Sequence, residues 1–354
     1  MNDVSDVRAM LIESATRLFA DHVTPKMLAA AKQDGWSPAL WRIVAEAQLP
    51  LIAVPEDAGG AGGSLSDAAA VLRIAGRHAA PIPLAETNIA AWLLGAAHFA
   101  IPAGPLTAGP FNGERITAVS EGGQWRVSGT LKRVGWARAA ERIVLLAASA
   151  DGDVIVSVDS ALCTITAGRN LADEPRDEVV LDRVLAPGAP APSSINASAL
   201  RLRGALARSL LMAGALERAL ELAVRYATER TQFGRKIGQF QAIQQELARF
   251  AGEVAAAVAA ALSAAGALER GDDARLAVAA AKIRTAQAAH EGALIAHQVH
   301  GAIGVTDEYA LHHSTLRLWA WREECGNEAT WAIELGRALA AQGADALWPT
   351  LTRD

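Results

Sequence analysis

Cysteine is scarce in this chain: Cys163 and Cys325 are the two among 354 residues. Two thiols so far apart make neither a disulfide framework nor a metal cluster, and they suit a reducing compartment. Long apolar runs are missing as well. No stretch of about 18 purely apolar residues occurs, because the greasiest segments are alanine-rich and broken by charges, so no membrane span is expected. Positive charge is not in excess either: 33 Lys and Arg against 38 Asp and Glu give a net charge of −5. No overall field then draws the chain to nucleic acid, although a few arginines or a helix N-terminus can still hold a phosphate locally. Met1 to Asp6 lack the basic and apolar regions of a secretory signal, and a cytoplasmic protein is the expectation.

What is present is a globular balance, 51% hydrophobic and 20% charged, in a chain too long for one compact core. Three zones differ in period. Residues 1–105 read as helical: Leu11, Ala15, Leu18 and Phe19 recur every three or four positions, and Trp41, Val44 and Leu49 continue the pattern. The run from Val54 to Gly63 must turn, and Ser64 to Asp67 offers capping side chains to the next helix. Residues 106–195 shorten to period two, with short strands at Ile116–Val119, Trp125–Ser128, Ile143–Ala147, Val154–Val158 and Val179–Leu181. Strands this short and numerous suggest a small β-barrel or sandwich, and Pro187 to Pro192 reads as a linker. Residues 199–354 return to a helical period. Phe240, Ile243, Leu247, Phe250, Val254 and Val258 form one stripe, and Arg270 to Asp273 ends one helix and caps another. The alanine and glycine on these stripes point to a closely packed bundle.

The segment with most chemistry is Arg230-Thr231-Gln232-Phe233-Gly234, set between two long helices. Arg230 can make paired charge-assisted hydrogen bonds to phosphate, Gln232 can meet a nucleotide edge, and Phe233 can cover a flat ring. An ordinary interhelical turn with solvated charges has the same composition. The segment resembles the Arg-x-Gln-Phe-Gly signature of acyl-CoA dehydrogenases. Gln298-Val299-His300-Gly301-Ala302-Ile303-Gly304, with Thr306, Glu308 and Tyr309, is similar to that family's Gln-x-x-Gly-Gly loop. Val54-Pro55-Glu56 with Gly59-Gly60 is similar to its Val-Pro-Glu-x-x-Gly-Gly turn.

The resemblance implies a mainly α fold with a central β domain: an N-terminal helical domain, a small β-barrel and a C-terminal four-helix bundle. It implies FAD, held between protomers by Arg230, Thr231, Gln232, Phe233, Gln298, Val299, His300, Gly301 and Ala302. Ala302 adds a methyl where the family has a second glycine, and His300 could equally be a core histidine. It further implies an acyl-CoA substrate and an electron-transfer flavoprotein as acceptor. The assembly would be a homodimer, a homotetramer or a heterotetramer with a related subunit. The family's Thr-Glu-Pro-x-x-Gly-Ser-Asp run has no counterpart, whereas Ser128-Gly129-Thr130-Leu131-Lys132-Arg133-Val134 resembles the segment that follows it, near Trp136 and Ala137.

The implied reaction removes an α-proton from a thioester and needs a carboxylate whose pKa is raised toward neutrality. Ungapped counting puts Cys325 at that position. Three readings stay open. Glu324 or Glu323 supplies the base from a shifted backbone, Glu324 being the leading candidate. Glu269, beside Arg270, supplies it from the preceding helix, as in isovaleryl-CoA-type enzymes. Or a related partner subunit supplies it, as in heteromeric acyl-CoA dehydrogenases of sterol degradation. Two rival functions follow from the same residues: a non-catalytic subunit completing a partner's FAD site, and a flavin oxidase or monooxygenase on the same scaffold. Cys325 lacks an adjacent histidine to activate it. His312-His313 lacks further ligands, and no metal site is expected.

Overall fold

The computed structural model describes residues 2–352. Helices α1 (Asn2–His22), α2 (Pro25–Asp34), α3 (Pro38–Glu46), α4 (Leu65–Arg77) and α5 (Leu84–Ala96) come first. Their starts are written locally. Thr24 and Ser37 cap α2 and α3 ahead of a proline, and Ser64 and Asp67 form a reciprocal capping box on α4. Ala15, Phe19, Trp41, Val44 and Leu49 are buried.

The middle of the chain is an eight-stranded sheet. Its strands are β1 (Leu106–Gly109), β2 (Thr117–Glu121), β3 (Gln124–Gly135), β4 (Arg142–Ser149), β5 (Gly152–Asp159), β6 (Thr164–Thr166), β7 (Arg176–Ala186) and β8 (Gly188–Pro190). They run in the order β6-β7-β3-β2-β4-β5-β8, with β1 parallel to β4. β5 and β7 approach each other without being hydrogen-bonded neighbours, so the sheet curls around its own core. Ile143, Leu145, Val154, Val156 and Val158 face that core, while Val144, Leu146 and Ile155 on the same strands join the helical core. Burial on both faces is why β4 reads as an unbroken apolar run. The expected linker is partly strand: β8 pairs with β5, Ala189 opposite Ile155.

The remaining chain is α6 (Ala197–Glu229), the two-residue strands β9 (Thr231–Gln232) and β10 (Arg235–Lys236), α7 (Gln241–Glu269), α8 (Arg275–His300), α9 (Leu311–Arg322), α10 (Glu328–Gln342) and α11 (Ala344–Leu351). α4 docks on α6 with backbones nearly touching. A Cβ on Gly76 would lie 2.2 Å from the Leu211 carbonyl, and one on Gly214 1.8 Å from that of Arg73. Only glycine permits that approach, and Arg73–Glu217 at 2.7 Å closes its rim. α7 is long and apolar enough to cross a membrane by length and composition. It packs against α6 and α8, burying Phe250 and Val254 and leaving Ala248, Gly252, Ala255, Ala259 and Leu262 exposed. That outward face repeats every three or four residues, the spacing of a packing seam.

Candidate active site and cofactor-binding segments

α6 ends where Arg230 turns to extended backbone, and the chain makes a tight hairpin pairing Gln232 with Arg235 and Thr231 with Lys236. Its two corner residues, Phe233 (φ 52°) and Gly234 (φ 77°), both lie in the left-handed region, as a two-residue hairpin of this hand requires. For glycine this is easy. For a bulky residue it costs about 1–3 kcal/mol. The Phe233 ring is 90% exposed, with only the edge of Phe240 near it, centroid to centroid 6.2 Å. Arg230, Thr231 and Gln232 are also exposed, and among the described residues the Arg230 guanidinium makes no ion pair. A phosphate-seeking cation, an amide and an unpartnered ring therefore project together into solvent.

The second segment closes α8. His300 is buried and stacks on Tyr226 at 4.7 Å, with Tyr309 tilted against it at 4.8 Å and its Nδ1 bonded to the Ala296 carbonyl at 2.7 Å. Burial holds its pKa below the usual histidine range. Its ring is thus core, and so is the side chain of Val299, whereas Gln298, Gly301 and Ala302 are exposed. Because Tyr226 lies one helical turn before Arg230, this stack puts both segments at the same end of the bundle.

The third feature is a cavity of about 410 Å³ between the sheet and the bundle. Phe111, Asn112 and Glu114 line it from the loop after β1, Lys132, Arg133 and Gly135 from β3, and Glu86 from α5. Arg208 reaches it from α6, and Glu323, Glu324 and Cys325 from the turn after α9. Glu324 is 8% exposed. Its carboxylate accepts from Arg176 Nε (2.7 Å) and Nη2 (2.9 Å), Arg208 Nε (2.6 Å) and Asn170 Nδ2 (3.1 Å). Burial opposes its charge, but the two guanidiniums prevail and hold its pKa down to about 2. Arg208 also donates to Glu86. Cys325 stands at φ 56°, and burial raises its thiol pKa.

Two models of known families match the chain: "Acyl-CoA dehydrogenase, N-terminal domain" over residues 5–98 and "Acyl-CoA dehydrogenase, C-terminal domain" over 202–330. A curated relative, the acyl-CoA dehydrogenase IpdE2 of Mycobacterium tuberculosis, is 31% identical over 308 residues, covering 86% of this chain and 88% of that protein. The chain is a member of the acyl-CoA dehydrogenase family. Its fold matches the ChsE4–ChsE5 complex of Mycobacterium tuberculosis with a TM-score of 0.87, at 25% identity over 95% of this chain and 98% of that one. It matches a steroid acyl-CoA dehydrogenase, the Tcur3481–Tcur3483 G363A variant, with a TM-score of 0.86, at 27% identity over 96% and 99%. Members of this family are oxidoreductases acting on CH–CH groups and depend on FAD.

The acyl-CoA dehydrogenase reaction asks for a carboxylate poised near neutrality, and Glu324 is the opposite, a charge fixed by two arginines. Glu323 is exposed at the rim, with Asn327 Nδ2 donating to it at 3.4 Å. Glu269 caps the start of α4 through the Ser66 amide (3.2 Å), does not line the cavity, and has Arg270 turned to Asp272. The Cys325 thiol lies against the helix, 2.8 Å from a Cβ built on Gly204. His312 lies tilted against His313, its Nδ1 held by the Tyr309 carbonyl, and no metal-ligating group of three occurs among the described residues.

The residues fit FAD unevenly. Arg230, Gln232 and Phe233 are free to receive phosphates and an adenine face. The cavity at the other end is lined by charge and crossed by ion pairs, a poor bed for a flat apolar ring system. The signal for this mismatch was in the sequence as lone charges inside apolar helices, Glu86 and Arg208. Neither belongs to a motif, so pattern reading passed over both.

Proposed function

We propose that this chain works in FAD-dependent α,β-dehydrogenation of an acyl-CoA thioester as the subunit that completes a related partner's FAD site, and that the proton-abstracting carboxylate belongs to that partner. FAD, when bound, supplies the hydride acceptor. This chain's share is to bind and orient: Arg230 neutralises phosphate, Gln232 hydrogen-bonds the nucleotide, and Phe233 covers a ring face. The backbone around Gln298, Gly301 and Ala302 closes on the same end, with the His300 stack behind it. The observation that carries this reading is Phe233, a residue 90% exposed at a hairpin corner, its ring met only by the edge of Phe240. In the same proposal electrons leave to an electron-transfer flavoprotein and the assembly is cytoplasmic, a heterotetramer fitting the one-sided site better than a homo-oligomer.

A self-contained dehydrogenase is the second reading, favoured by the cavity beside Cys325, which lies where the sequence resemblance puts the base. The absorbance spectrum of the chain purified alone separates the two. We expect negligible flavin absorbance near 450 nm and no bleaching by a panel of acyl-CoAs. One tightly held flavin per protomer, bleached anaerobically by an acyl-CoA, would overturn the proposal and favour the second reading.

A further inference from the structure

Around the cavity the chain holds six buried charges that no motif announces. Glu86, Arg208, Glu324, Arg176, Glu174 and Arg317 alternate in sign, each touching the next, and none of their side chains is more than 9% exposed. Glu174 also receives Trp321 Nε1 at 2.8 Å and Asn170 Nδ2 at 2.9 Å, and Asn170 bridges it to Glu324. Arg176 lies over the Trp136 ring at 4.7 Å. Three positive and three negative charges leave no net charge to desolvate alone, which is the condition under which buried ions are tolerated. The members come from all three zones of the chain: Glu86 from α5, Glu174 and Arg176 from the segment entering β7, and Arg208, Arg317 and Glu324 from the bundle. Each shared arginine spans a boundary. Arg208 joins the N-terminal helices to the turn after α9, and Arg176 joins the sheet to that same turn.

We infer that this alternating row is a latch that fixes the three zones against one another at the cavity, so that the closed arrangement of α5, the 170–176 loop and the 323–326 turn is a property of the unliganded chain. Buried ion pairs contribute little net stability compared with apolar packing but lose strongly when one partner is removed. They suit registry better than glue. α4 and α6 are already joined through Gly76 and Gly214, so the latch is needed only where that glycine contact does not reach, at α5 and the sheet. The inference does not depend on which subunit carries the catalytic base.

Hydrogen exchange read by mass spectrometry on the full chain tests it. Arg208→Met strands Glu86 and leaves Glu324 to Arg176 and Asn170 alone. Exchange should accelerate by roughly tenfold or more in α5, residues 170–176 and residues 323–326, as expected when buried charged bonds are removed, while α6 and α8 keep their protection. Glu86→Gln is the gentler second variant, which weakens only the N-terminal strut, and acceleration confined to α5 is expected. Unchanged protection at α5 and 170–176 in both variants, or acceleration spread evenly into α8, would overturn the latch.

Discussion

Glu324 and Lys282 are two buried ions that each make stability rise with pH, one in acid and one in alkali. The carboxyl of Glu324 is held at about 2, below its ordinary 4.5, by Arg176 and Arg208 against the pull of burial, with Asn170 adding a hydrogen bond. Its folded pKa is depressed, so its stabilisation is complete above about 4.5 and lost as pH falls toward 2, a swing of roughly 3 kcal/mol. Glu324→Gln should flatten that part of the acid-denaturation curve followed by circular dichroism. The same variant should lower the melting temperature, since two guanidinium contacts from Arg176 and one from Arg208 lose their charge partner, a loss of roughly 2–4 kcal/mol of stability. A catalytic base would behave otherwise: activity would collapse with the melting temperature unmoved. Glu324 was legible in the sequence as a carboxylate beside the expected base position. Its arginine partners lie 116 and 148 residues away, and a pairing of that range cannot be read from a single chain.

At the scale of elements, helix ends were the most legible features. Ser64 and Asp67, the Gly271 break and the stripe through Phe250 and Val254 all carry their signal within a few residues. The end of α9 is different. Its last carbonyls are met by Lys282 of α8, whose Nζ donates to Arg322 O at 2.8 Å and Trp321 O at 3.3 Å with the side chain wholly buried. Burial lowers its pKa from 10.5 to about 8. Between those values the unfolded chain binds more protons than the folded one, so this group makes stability rise with pH from about 8 toward 10.5. Lys282→Met should abolish that rise in pH-dependent urea melts. The hairpin between β9 and β10 yields a second expectation. Phe233→Gly relieves the left-handed strain, so the chain alone should be no less stable, yet flavin retention by the assembled protein should fall. Equal retention in gel-filtered, spectrally scanned samples would remove Phe233 from the site. Arg230→Ala should weaken retention by roughly 10- to 100-fold, the loss expected for a charged hydrogen bond to phosphate.

For the whole molecule, the helix–sheet–helix order followed from hydrophobic period alone, but how the sheet faces the helices did not. β4 and β5 bury both sides, and period two cannot say which partner covers which side. Nor could the sequence show that the long apolar helix α7 leaves a face uncovered. Along α7 the outward positions Ala248, Gly252, Ala255 and Ala259 are small, which allows a neighbouring helix close approach. Ala255→Glu should reduce the assembled mass seen by analytical ultracentrifugation while leaving helical content intact. An unchanged sedimentation profile would place the interface elsewhere.

Cys325 carries one more consequence. It occupies a left-handed corner followed by Gly326 at φ 89°, opens on the cavity, and has Glu86 and Glu324 close by. A carboxylate installed there by Cys325→Glu would be drawn toward protonation by loss of water and by its two acidic neighbours, and held back from it by Arg208 and Lys282. Burial outweighs those two cations for the native thiol, so how dry the corner stays decides whether an acid placed there would hold its proton.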